Sequence, residues 1–138
     1  MTEQDPYDAE DEPFPTTYYL TCPHLVAKIA QIEAAGGVER WTAAVRGDAA
    51  LAASLAAAND EQRELRRTLA GRRRGRDGGA SLGLGIGGSS RRGSLKCLHA
   101  HAAFALARPG YTLGESILAE AAPLWPGQCC TLQDEGPP

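Results

Sequence analysis

Residues 51–69 read LAASLAAANDEQRELRRTL, and their pattern decides the fold. Leu51, Leu55, Ala58, Gln62, Leu65 and Leu69 recur at steps of 4, 3, 4, 3 and 4 residues. Positions three and four apart share one face of an α-helix, so the stretch predicts a long amphipathic helix with this row turned inward. The same spacing is that of a heptad seam. It lasts under three heptads and Gln62 interrupts it, which favours a helix of a bundle over a coiled-coil dimer. Gly47-Asp48 breaks the chain just before, and the Asp48 carboxylate suits the N-cap.

Working outward, Pro23 suits the first position of an earlier helix, where its missing N–H costs nothing. Leu25, Ile29 and Ile32 form its apolar stripe, and Gly36-Gly37 end it. A short helix from Val38 to Val45 follows, with Val38, Trp41 and Val45 on one side. Beyond the long helix, Arg72 to Gly93 is a low-complexity run of Arg, Gly and Ser, expected as a flexible insert. A helix is predicted from about Leu95 to Ala107, with Ser94 as cap and Arg108-Pro109-Gly110 as stop. Thr112-Leu113-Gly114-Glu115 has the capping-box pattern and should open a last helix through Ile117 and Leu118, ended by Pro123.

The expected architecture is therefore all-α or nearly so: one small bundle of four to five helices over residues 14–123, with a Gly/Arg-rich loop at 72–93. Disordered termini are expected, an acidic tail at 1–13 and an irregular tail at 124–138. The chain of 138 residues suffices for one domain, and its 43% hydrophobic share with only 6% aromatic points to alanine-rich helices around a modest core. No stretch approaches the roughly 20 apolar residues that span a bilayer, so no membrane role is expected. The acidic N-terminus does not read as a secretory signal, so the chain reads as cytoplasmic, where thiols stay reduced.

The net charge of −3 selects no polyanionic partner, but charge is unevenly placed. Glu3, Asp5, Asp8, Glu10, Asp11 and Glu12 crowd the N-terminus, and nine arginines lie between Arg63 and Arg92. A basic loop beside a helix N-terminus suits phosphate or another anionic ligand. No aromatic residue lies between Trp41 and Phe104, so base stacking is unsupported. Gly83, Gly85 and Gly88 match a G-x-G-x-x-G pattern without the strand that a dinucleotide site needs before it.

Concentrated chemistry lies in Cys22-Pro23-His24 and in Lys96-Cys97-Leu98-His99-Ala100-His101. On a regular helix Cys97 and His101, four apart, converge, whereas His99 points nearly the other way. Cys22 precedes a helix N-terminus, where the helix dipole favours a thiolate. A metal site of Cys22, Cys97 and His101, with His99 or His24 as a further ligand and Lys96 beside it, suits zinc or an iron–sulfur cluster. Two other readings stand beside it. One is a metal-free enzyme with Cys22 as nucleophile and His101 as base. The other is an interaction module whose long helix docks a helical protein partner. Cys129 and Cys130 would add soft ligands only if the tail folds back.

Phe14-Pro15-Thr16, Tyr18-Tyr19-Leu20-Thr21-Cys22-Pro23, Gly85-Ile86-Gly87-Gly88 and Leu95 to His101 together resemble the bacterial, mainly actinobacterial, domain of unknown function family five hundred and one. The resemblance spans about Phe14 to Leu118. It implies a small cytoplasmic protein of no established activity, with genes often near one for a septum-forming coiled-coil protein, hence a link to cell division. By position, the family's first cysteine falls on Cys22 and its second motif on Lys96, Cys97, His99 and His101. His24 and Tyr111-Thr112-Leu113-Gly114 depart from the family pattern, as does the arginine–glycine insert.

Overall fold

A computed structural model describes residues 1–127. Two short strands, β1 (Thr2–Glu3) and β2 (Tyr18–Tyr19), precede five α-helices. These are α1 (Pro23–Ala34), α2 (Gly37–Gly47), α3 (Ala49–Ala70), α4 (Leu98–Ala107) and α5 (Thr112–Glu120). Between α3 and α4 the chain makes two 3₁₀ turns, Ala80–Gly83 and Ile86–Gly88. The domain is thus mostly helical, as the periodicity predicts. No described helix is long and apolar enough to cross a membrane. Cys129 and Cys130 lie outside the described residues.

The helix ends follow local chemistry. Asp48 caps α3 by accepting hydrogen bonds from Ala50 N (2.9 Å) and Leu51 N (3.2 Å). At α5 the expected box is displaced by one residue. Tyr111 is the N-cap, and the Glu115 carboxylate accepts from Gly110 N at 2.9 Å. The Thr112 hydroxyl donates instead to Ser54 Oγ of α3 at 2.8 Å.

Helix α4 sits at the centre, packed against α1, α5, β2 and the Ile86–Gly88 turn. Leu98, Ala100, His101, Ala102, Ala103, Phe104 and Ala105 are all buried. A helix buried on nearly all sides needs small residues where neighbours approach closely, and alanine provides them. Gly114 does the same from α5: a Cβ there would lie 2.7 Å from Ala105 Cβ and 2.4 Å from Tyr111 Cδ1. Phe104 anchors the centre, with Tyr18 and Tyr111 edge-on at ring separations of 5.9 and 5.7 Å.

The long helix departs from its predicted seam in an instructive way. Leu55, Ala58 and Gln62 are buried as expected, but further along the buried positions are Arg66 and Ala70, not Leu65 and Leu69. A straight α-helix drifts by about 20° per heptad from a strict seven-residue repeat. The inward face of α3 accordingly moves by one position along the helix. Of the apolar row, Leu55 and Ala58 enter the domain's own core, Leu55 being 1% exposed, while Leu51 and Leu65 are partly buried against it.

Two further expectations need correction. Residues 1–13 are not a disordered tail. Thr2 pairs with Tyr19 and Glu3 with Tyr18, Tyr7 is buried, and its hydroxyl donates to Asp77 at 2.9 Å. The acidic segment lies on the arginine run: Arg73 pairs with Asp11 at 2.7 Å and Arg76 with Glu12 at 3.2 Å. Opposite charge and one buried tyrosine supply what composition alone hides. Nor is 72–93 an open loop, since Leu82 and Ile86 are buried and Ile86 N donates to Asn59 Oδ1 of α3 at 2.9 Å. Gly85 permits this, because a Cβ there would sit 2.6 Å from that oxygen.

Arg66 is fully buried, and its three guanidinium nitrogens make no hydrogen bond among the described residues. Burial lowers its pKa, against the opposing pull of Tyr7 and Asp77. Burial alone would raise the Asp77 pKa, but hydrogen bonds from Ser81, Tyr7 and Gly79 outweigh it and hold the carboxyl well below its usual range.

Candidate functional site

The Lys96–His101 stretch enters its helix later than predicted. Cys97 has φ −146° and ψ 115°, an extended conformation, and serves as N-cap of α4 with no side-chain capping bond. The first helical N–H, that of Leu98, is satisfied from another helix. Glu33, in the last turn of α1, accepts it through Oε1 at 2.7 Å. A carboxylate is favoured at a helix N-terminus by the unpaired N–H groups and the dipole.

The extended geometry at Cys97 reverses the expected grouping. The rule that residues four apart share a face holds only where both are helical. With Cys97 outside the helix, its side chain meets His99 and not His101. His99 Nδ1 lies 3.2 Å from Glu33 Oε1, and Nε2 lies 3.1 Å from the Val26 carbonyl oxygen. Both neighbours are acceptors, so both ring nitrogens act as donors in the imidazolium form. A side-chain hydrogen bond with Cys97 raises the His99 pKa most, opposed by partial burial and helped by Val26 and Glu33. The pKa is raised to about 9.

A Glu33 carboxylate oxygen, Cys97 Sγ and a His99 ring nitrogen all lie within 4.8 Å of one another. Each of the three residues is half-buried, so the group is held by packing yet reached by solvent. An oxygen, a sulfur and a nitrogen on separate side chains form a donor set that fits zinc. Ligands of a tetrahedral zinc ion with bonds of about 2.0–2.3 Å are about 3.5 Å apart, so modest side-chain closure would complete the geometry. The Val26 carbonyl is placed as the acceptor that commonly orients a metal-binding imidazole through its other N–H.

The remaining expected site residues lie elsewhere. His101 is 1% exposed. Its Nδ1 is 2.8 Å from the Tyr111 hydroxyl, and Nε2 has no partner among the described residues. Burial lowers its pKa to about 4, so the ring is neutral. Burial likewise pushes the Tyr111 hydroxyl far above its usual range. His101 is thus a core residue turned toward α5, unsuited to be the base of an accessible nucleophile.

Cys22 is the N-cap of α1 and is not a member of the three-residue group. Glu33 stands eleven residues further along the same helix, a rise of about 16 Å at 1.5 Å per residue. His24 Nε2 donates to the Pro123 carbonyl at 2.8 Å. Lys96 is exposed and lines a separate 300 Å³ cavity with Ser89, Ser90, Arg91 and Ser94.

Sequence reasoning missed Glu33. One signal was present: an acidic side chain in the last turn of a helix opposes the dipole, and that misfit finds its reason in the N-terminus of α4. Comparison with curated proteins and with solved structures gives no match. The family model described as "Protein of unknown function (DUF501)" matches residues 2–119. With a span that takes in β1 through nearly all of α5, and so Glu33, Cys97 and His99, the chain belongs to the DUF501 family.

Proposed function

We propose that the protein binds a zinc ion through Glu33, Cys97 and His99, with a fourth position open to water or substrate. The observation that carries this reading is the convergence of carboxylate, thiol and imidazole within 4.8 Å at a solvent-reached helix N-terminus. Three protein ligands with an open position are the arrangement of zinc sites that polarise a bound water or carbonyl. The group offers one cysteine sulfur, whereas an iron–sulfur cluster calls for several, so zinc is the better match. In the metal-free state the proton on His99 Nδ1 stands where the ion would bind. Zinc therefore competes with that proton, and affinity should rise with pH up to about 9.

A metal-free Cys97–His99 pair is the weaker reading. A general base needs an unprotonated nitrogen aimed at its nucleophile, and a pKa raised to about 9 keeps the His99 ring protonated at neutral pH.

The test is elemental analysis with cobalt substitution. Wild type and Cys22→Ser are expected to hold one equivalent of zinc, and the cobalt form to show a thiolate charge-transfer band. Cys97→Ser and His99→Gln should each lose the metal, and Cys97→Ser the band. Wild type that takes up no zinc, or zinc retained in a folded Cys97→Ser/His99→Gln double variant, overturns the reading.

A further inference from the structure

A second site lies away from the metal-ligand group, on α3. A cavity of about 590 Å³ is formed between α3 and the Ser89–Gly93 turn. That volume falls in the range of small-molecule sites. Its floor is apolar, from Ala52, Leu55 and Ala56, and its rim carries Arg63, Arg91 and Arg92. The rim also holds one acid, Asp60, which pairs with Arg63 at 3.0 Å; Arg63 in addition donates from Nε to the Gly83 carbonyl. Arg91 and Arg92 have no ion-pair partner among the described residues, unlike Arg73 and Arg76, which the acidic N-terminal segment neutralises.

Asn59 supplies an independent pointer. It is more than nine-tenths buried and lines the same cavity. Its carbonyl oxygen is pinned by Ile86 N, which fixes the amide orientation, and its NH₂ group is the donor that remains. Two unneutralised guanidinium groups, whose planar forks match phosphate oxygens, and a fixed amide donor form an anion-recognition set above an aliphatic floor. Among the described residues no aromatic side chain lines the cavity to stack on a nucleobase.

We infer that this cavity binds a phosphate- or diphosphate-bearing small molecule, with Arg91 and Arg92 on the phosphate, Asn59 as a fixed donor and the alanine–leucine floor beneath its body.

The probe is inorganic pyrophosphate, titrated into the full chain by calorimetry at constant ionic strength in zinc-free buffer. Amide shifts at Ser90 to Gly93 are followed in parallel by NMR. Saturable binding with shifts at that turn is expected. Arg91→Gln/Arg92→Gln, both exposed positions, should weaken it at least tenfold. The charge-matched control Arg67→Gln/Arg72→Gln should leave it within twofold. Absence of saturable binding, shifts confined to other segments, an unaffected Arg91/Arg92 variant, or equal losses in both double variants would overturn the inference; equal losses would mean attraction to net charge alone. None of these outcomes depends on zinc binding at Glu33, Cys97 and His99.

Discussion

His99 and His101 stand two residues apart on α4, yet the fold gives them opposite chemistry. Two positions on a helix are separated by about 200° of rotation, so the pair faces different neighbours. His99 turns toward α1, where Glu33 and the Val26 carbonyl accept from both nitrogens and its pKa rises to about 9. His101 turns into the core against Tyr111, with no charged partner among the described residues, and burial lowers its pKa to about 4. The lesson is that a histidine's charge at neutral pH is set by what the adjacent helices bring to it, not by the motif that holds it.

The largest expected effect that would break this contrast is on stability. His101→Ala empties a fully enclosed site beside Phe104 and Tyr111 and should cost about 2–4 kcal/mol, as large-to-small core changes do. Denaturant unfolding measures it, and zinc content should not change. A smaller loss than His99→Gln causes would reverse the assignment of core and surface roles.

The pH dependence of metal-free protein sharpens the contrast next, because the two rings act in opposite directions. His101 has a folded pKa below the ordinary 6.5, so its contribution is complete above pH 6.5 and is lost as pH falls toward 4. His99 has a folded pKa above 6.5, so its contribution is complete below pH 6.5 and is lost as pH rises through about 9. Thermal unfolding across pH 4–10 should show both limbs. His99→Gln should flatten the alkaline limb alone, and acid sensitivity that survives His101→Leu unchanged would contradict the buried-neutral assignment.

Smaller effects come from the partners. Glu33→Gln keeps an acceptor for Leu98 N but removes the charge facing His99. It should move the alkaline limb toward neutral pH and cost about 1–2 kcal/mol at pH 6. Tyr111→Phe leaves His101 Nδ1 without its hydroxyl and should cost about 1 kcal/mol with no change in the alkaline limb. Equal shifts of both limbs in either variant would show that the two histidines are coupled and not separate.

Much of the fold was legible because it is written in local pattern. The stripe of Leu25 and Ile29, the cap at Asp48 and the stop at Arg108-Pro109-Gly110 each act within a turn or two of helix, and each element forms where its residues place it. The errors arose where distant groups met. Ser94 loses the capping role to Cys97 because Glu33 supplies the acceptor for Leu98 from 65 residues away. Residues 1–13 look disordered by composition, yet Tyr7 finds a buried seat and Asp11 and Glu12 find arginines.

By itself the sequence determined that the chain is a mostly helical domain of four to five helices and that one short segment concentrates cysteine and histidine, since both follow from residue type and spacing. Only the tertiary structure decided that Cys97 groups with His99 and Glu33, that His101 is core, and that Arg66 is buried while Arg91 and Arg92 stay exposed. Helical periodicity constrains neighbours within one element. The field around a titratable group is summed over every element packed against it, and that sum exists only once the helices are assembled.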